Sequence, residues 1–268
     1  MVLAPGTRGL GAPGCFRLER CADVNAPAKN VPGLGEAPPA EVLRENLRSV
    51  RERIAAVAAD PSRVKLVAVT KGFGLSAVRR LLEIGVADLG ENYAEELYGK
   101  ARSLGGGGRT AESPRWHYIG TIQRRSVVEI APLVSVWHTV ARGVEGREIV
   151  KRVGDAPLPR VMVQVEATGL PGRNGCARDE VPDLVAELRE MGLVVEGLTA
   201  LGPPGTAEDA RSVFRQVAKI ADRLGLGELS MGMSDDLEVA VEEGSTMVRV
   251  GRALLGDRPP RHSRSHGL

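Results

Sequence analysis

Two spacings of apolar residues alternate along the middle of this chain. After Pro38-Pro39, Leu43, Leu47, Val50, Ile54 and Val57 recur at helical intervals and predict an amphipathic leading helix. An unbroken apolar run follows at residues 64–70, then a helix through Val78, Leu81 and Leu82 and a short strand ending at Gly90. Further strands are predicted at 116–119, 134–140, 160–165, 193–201, 229–233 and 247–250, with helical segments between them. The helix before the seventh strand carries Val213, Val217, Ile220 and Leu224 on one face. Short apolar strands separated by helices imply parallel pairing, because a parallel crossover needs a helix-length connection. Eight of them in about 200 residues predict a closed (β/α)₈ TIM barrel. An open doubly wound sheet is the alternative, but no G-x-G-x-x-G follows the first strand.

The ends of the chain break both spacings. Residues 1–40 hold six Gly and six Pro without any period. Residues 1–37 are therefore expected to be a disordered extension, 38–257 the barrel and 258–268 a disordered tail. Residues 1–37 lack the uninterrupted apolar stretch of a targeting peptide. No apolar run reaches the length of a membrane span, and a net charge of +2 supplies no field for nucleic acid or an anionic membrane. Cys15, Cys21 and Cys176 show neither metal-type spacing nor an even-numbered framework, which fits reduced thiols in a cytoplasmic protein. With aromatics at only 3%, exposed aromatic surface is scarce, as expected of a monomer.

One compositional bias bears on chemistry. Of 36 basic residues only six are Lys, so this chain uses Arg wherever charge alone suffices. A Lys in a special place then points to chemistry that needs a deprotonatable amine. In a barrel of this kind the working residues lie at the C-terminal ends of strands. Lys71 directly follows the first strand; it is either a strand-end lysine reaching for solvent or a desolvated amine nucleophilic toward an aldehyde. Near the ends of the seventh and eighth strands, Gly232, Ser234 and Gly251 form either ordinary capping or a phosphate cradle. Arg249 lies between Val248 and Val250 and points into the barrel mouth or toward a helix. It is either a wall ion pair or a cation beside a pyridine nitrogen. Asp235, Asp236, Glu238, Glu242 and Glu243 read as a solvated acidic helix, and His117 and His138 lack a third ligand for a metal.

These residues sit in longer motifs: Val-Ala-Val-Thr-Lys71, Gly-Glu-Asn-Tyr at 90–93, Trp-His-Tyr-Ile-Gly at 116–120, and the block from Leu229 to Gly251. Over roughly residues 40–256 the chain resembles the pyridoxal phosphate homeostasis proteins, which are related in fold to the N-terminal domain of alanine racemase. The resemblance implies that Lys71 holds pyridoxal 5′-phosphate (PLP) as a Schiff base. It implies that Ser234, Thr246 and Gly251 hold the phosphate, that Arg249 lies near the pyridine nitrogen, and that Asn92 lies beside the ring. It further implies a monomeric carrier without established turnover that serves intracellular PLP homeostasis, with apo PLP-dependent enzymes as candidate partners. The chain departs from the family pattern at Ser126, where a lysine is usual, at Ala141, at Arg173 in place of another lysine, and at Thr199. The alternatives are a PLP-dependent amino-acid racemase or decarboxylase, and a phosphate-binding barrel without cofactor. A two-base racemase needs a second acid opposite its lysine; no Cys or Tyr at a strand end stands out for that role, with Tyr93 and Tyr118 the nearest candidates.

Overall fold

In the computed structural model, residues 34–105, 109, 113–154 and 156–258 are described. Eight parallel strands close into a ring: β1 (Lys65–Val69), β2 (Asp88–Glu91), β3 (Arg115–Tyr118), β4 (Val134–Val140), β5 (Arg160–Glu166), β7 (Val194–Thr199), β8 (Glu228–Ser230) and β9 (Met247–Val250). Each strand pairs with the next, β5 with β7, and β9 returns to β1. The predicted TIM barrel is thus the observed fold. A two-residue strand, β6 (Cys176–Ala177), adds to β5 outside the ring. The sequence reading missed it because two residues carry no periodicity.

The helices coat the ring for the reason their patterning gives. On α1 (Ala40–Val57), the buried residues are Leu43, Leu47, Val50 and Ile54, spaced to form one stripe. Each contributes roughly 1.5–3 kcal/mol of transfer free energy on burial. That stripe packs beside α2 (Leu75–Glu83), α8 (Leu237–Glu242) and α9 (Arg252–Leu255), covering the seam where the first and last strands meet. Polar ties fix its position: Asn46 Nδ2 donates to Leu254 O at 2.8 Å, and Arg53 pairs with Glu238 at 2.5 Å. On α7 (Arg211–Arg223), Val213, Val217 and Ile220 are buried as predicted, with Phe214 and Ala221 beside them.

The remaining helices are α3 (Ala94–Ser103), α4 (Arg124–Ile130), α5 (Gly143–Val153) and α6 (Val181–Glu190). No helix among the described residues is long and apolar enough to cross a membrane.

Three expectations about boundaries need correction. The seventh barrel strand stops at Ser230 rather than Met233, because Gly232 adopts φ +86° and turns the chain out of the ladder. A Cβ at Gly232 would lie 2.6 Å from the Ala240 Cβ, so the position also needs a side chain no larger than hydrogen. Residues 1–33 of the expected extension lie outside the described residues, but 34–37 are packed. Gly35 N donates to Gly72 O and its O accepts from Gly74 N, both at 2.9 Å, and Ala37 is buried. Arg258, expected at the head of the tail, lies against Gly72; the rest of that tail, 259–268, is outside the described residues.

Candidate functional site

Lys71 occupies the second position after β1 and its neighbour Gly72 turns the chain with φ +82°. The turn is anchored from below by a buried polar cluster on β2 and α3. Gly72 N donates to Glu96 Oε2 at 2.7 Å and Thr70 Oγ1 donates to Glu91 Oε1 at 2.6 Å. Lys100 Nζ donates to Thr70 O at 2.9 Å, to Glu96 Oε2 at 3.4 Å and to Glu91 Oε1. Lys100, Glu91 and Glu96 are all buried, and Glu91 Oε2 has no hydrogen-bond partner among the described residues. Burial raises the Glu91 carboxyl pKa, outweighing the lowering by Lys100. The sequence reading passed over Lys100, although the scarcity of lysine and the Glu96–Lys100 spacing of four on a helix both marked it.

Above this cluster the Lys71 side chain is half-buried and has no hydrogen-bond or ion-pair partner among the described residues. Desolvation lowers its pKa most, followed by the positive charges of Arg258 and Arg249, against smaller opposing effects of Glu91 and Glu96. The amine faces a cavity of ≈ 1050 Å³ at the C-terminal end of the strands, lined also by Asn92, Ser234, Arg249 and Gly251. Five of the six residues expected at the site therefore come together. A smaller recess continues from it past Asn92, Arg173 and Arg249 to Gln164 and His138.

Thr246 is the exception. It precedes β9 at the opposite end of the barrel, about 16 Å of extended chain from Gly251 at 3.3 Å per residue. There Thr246 Oγ1 donates to Glu228 Oε2 at 2.7 Å and accepts from Leu229 N at 2.9 Å. Its hydroxyl is engaged far from the cavity, and the phosphate assignment to Thr246 is withdrawn. Ser234 does reach the cavity, but its Oγ accepts from Ala253 N at 3.2 Å in α9, not from α8 as its sequence position suggested. Of the two tyrosines considered as acids, Tyr93 lines the cavity, whereas Tyr118 is buried edge-on to Trp137 with ring centroids 5.2 Å apart.

Arg249 points into the barrel mouth, where it lines the cavity, and both terminal nitrogens of its guanidinium donate to acceptors of the wall. Nη1 donates to Ser230 Oγ at 2.7 Å, to Thr199 Oγ1 at 3.1 Å and to Ser230 O, while Nη2 donates to Ala200 O at 3.1 Å. Burial pushes its pKa down to about 10, which leaves it a cation at neutral pH. No carboxylate is bonded to it, so the wall ion pair anticipated as one reading is absent among the described residues. Thr199, a departure from the family pattern, is part of this seat. Asn92 is set by a backbone crossing: a Cβ on Gly120 would lie 2.1 Å from Asn92 O, so only glycine lets the end of β3 pass beneath it.

A free amine, a fixed guanidinium and a glycine-lined turn around one cavity suit a small anionic aldehyde, and the chain's relatives carry names consistent with that chemistry. The profile of the alanine racemase N-terminal domain family matches residues 40–259. A Pseudomonas aeruginosa pyridoxal phosphate homeostasis protein is 37% identical over 226 residues, covering 82% of this chain and 95% of that one. This chain belongs to that family. The Deinococcus radiodurans family member is 36% identical over 211 residues, covering 78% of this chain and 97% of its own. Among solved structures, PipY of Synechococcus elongatus with PLP bound is 28% identical with a TM-score of 0.66, covering 80% of this chain and all of PipY.

Proposed function

We propose that this chain binds pyridoxal 5′-phosphate at the cavity beside Lys71 and acts in its homeostasis as a carrier without turnover of its own. The observation that carries the reading is the Lys71 amine, desolvated and unpartnered among the described residues, facing a cavity shared with the turns after β8 and β9. When bound, the cofactor supplies an aldehyde and a conjugated pyridine ring. Lys71 would hold it through its amine, and its lowered pKa raises the fraction of neutral amine available to condense with the aldehyde with loss of water. Ser234 and Gly251 hold the phosphate, beside the ion pair of Arg252 with Asp235 on the same cavity wall. Asn92 lies along the ring. Arg249 faces the pyridine nitrogen, and because a guanidinium gives up no proton at neutral pH, the ring stays a weak electron sink.

That last property favours retention over racemisation or decarboxylation. The reading further has the chain working as a cytoplasmic monomer that exchanges its cofactor with apo-enzymes. Purified protein incubated with PLP should develop a visible absorption band that borohydride bleaches, and mass spectrometry should then find the label on Lys71. Lys71→Ala should abolish both. A colourless protein would reject the cofactor, and turnover of free alanine or of basic amino acids by catalytic amounts of protein would reject the carrier role.

A further inference from the structure

A second series of buried polar groups crosses the barrel interior and ends on Arg249. Asp88 Oδ1 lies 3.0 Å from His117 Nε2, His117 Nδ1 lies 2.8 Å from His138 Nε2, and His138 Nδ1 lies 3.0 Å from Ser230 Oγ, which accepts from Arg249. The two imidazole rings are buried with centroids 5.0 Å apart. Asp88 begins β2 at the end of the barrel away from the cavity and retains 16% side-chain exposure, so the series joins solvent at one face to the cavity wall at the other.

The direction of every hydrogen in this series follows from its two ends. A guanidinium only donates and a carboxylate only accepts. With both histidines neutral, His117 Nε2–H must serve Asp88. His117 Nδ1 then accepts, so His138 carries its hydrogen on Nε2, and His138 Nδ1 accepts the Ser230 hydroxyl hydrogen. Ser230 therefore turns lone pairs toward Arg249. We propose that His117 and His138 are positioning residues for Arg249, forming a polarised chain that orients the Ser230 hydroxyl and reverses when it takes up one proton.

The count closes on that single proton. His117 keeps Nε2–H and gains Nδ1–H by transfer from His138 Nε2; the incoming proton settles on His138 Nδ1, and Ser230 keeps its own hydrogen. The charge then rests on His117, against the Asp88 carboxylate, instead of on His138, against Arg249. Burial, with His117 and Arg249 nearby, already holds the His138 pKa well below the ordinary imidazole value.

The charged surroundings support this placement. Arg115 on the strand of His117 is bonded to Asp88 and also feels Glu196 of β7. Lys65 of β1 is paired with Glu228 of β8, and Arg160 of β5 with Glu196. On the cavity side, Glu166 and Arg173 line the recess that reaches His138. After reversal, His138 Nδ1–H points at a hydroxyl that already accepts from Arg249, and the Ser230 hydrogen loses its acceptor. Acid thereby loosens the seat of Arg249, which matters to the cofactor only on the reading that Arg249 faces it.

Long-range nitrogen–proton NMR of the cofactor-free chain reads the tautomers directly. Both rings should be neutral Nε2–H forms near neutral pH, and on acidification His138 should switch to Nδ1–H at the midpoint where His117 becomes charged. His117→Gln assigns the signals and should abolish the coupled switch. In the PLP-loaded protein it should also remove the matching step in the pH dependence of the visible band. An Nδ1–H His138 at neutral pH, or a His138 tautomer that ignores the titration of His117, would overturn the proposal. These spectra need no cofactor, so failure of PLP binding is a separate result.

Discussion

Replacing Lys100 by Met tests whether the Lys71 turn rests on a charge-balanced base. Met keeps most of the volume and the unbranched stem, so the loss is electrostatic. In the native protein one ammonium satisfies Thr70 O and two buried carboxyl groups, Glu91 and Glu96, beneath the turn. Removing it leaves two buried acids facing each other, while Thr70 O keeps its second donor, Phe73 N, at 3.1 Å. Breaking a buried pair by deleting one partner costs about 3–5 kcal/mol. For a chain of this size that lowers Tm by roughly 6–20 °C.

The deficit must also depend on pH. The folded pKa of Glu91 is already raised by burial, and losing Lys100 removes the main opposing influence. A carboxyl group whose folded pKa exceeds its unfolded value stabilises the fold below the unfolded pKa and loses that contribution as pH rises through the folded one. The variant should therefore lie closer to wild type under mildly acidic conditions than under alkaline ones. Urea titrations followed by the fluorescence of the buried Trp116 and Trp137 supply the comparison. Adding Glu91→Gln to Lys100→Met should recover part of the loss. A variant within about 1 kcal/mol of wild type, or a deficit that is the same at all pH values, would refute the electrostatic reasoning.

Gly120→Ala should destabilise the fold by about 2 kcal/mol or more and displace Asn92, because its Cβ would lie 2.1 Å from a backbone oxygen; a well-folded variant with unchanged cofactor affinity would contradict the crossing described. Arg258→Gln removes the leading charge that lowers the Lys71 pKa, so the amine should become more basic and trap an aldehyde under borohydride more slowly at neutral pH; an unchanged rate of Lys71 labelling would count against this. Asp88, although burial alone would raise its pKa, is held well below the carboxylate range by bonds to His117 and Arg115. Its stabilisation is present above the ordinary aspartate pKa and is lost as pH falls through the lower folded value, so Asp88→Asn should flatten the acid limb of the stability profile. A limb of unchanged slope would show that Asp88 does not contribute.

The fold was legible because its barrel strands are short apolar runs and the longer helices between them bury one face at a fixed period. Val213, Val217 and Ile220 could be placed on the core side of a helix from spacing alone. Lys71, Ser234, Arg249 and Gly251 were legible as strand-end residues, since a barrel brings all such ends to one face. Thr246 failed that test: it enters β9 instead of leaving it, and direction along the strand should have outweighed resemblance. What spacing could not reveal was contact across the ring. The pairing of His117 with His138, the hold of Lys100 on Thr70 O and the approach of Arg258 to Gly72 join residues whose separation in sequence follows no local rule.

Those contacts explain why the turn at Lys71 stays open to the cavity. A half-buried lysine ordinarily buries its stem and finds a carboxylate, and two lie nearby. Here both are already committed, Glu91 to Thr70 and Lys100 and Glu96 to Gly72 and Lys100, so the turn consumes the acids that its own lysine would otherwise seek. From above, Gly35 hydrogen-bonds on both sides of Phe73, to Gly72 O and from Gly74 N, and Arg258 brings a second positive charge close to Lys71. The amine is thus denied a partner by neighbours that are already engaged with other donors. Leaving it exposed to reaction requires no strained backbone beyond a glycine at φ +82°. An arrangement that lowers the basicity of one amine while the nearby acids are held by other donors is suited to reversible capture of an aldehyde, because releasing the aldehyde returns the site to a state that needs no rearrangement.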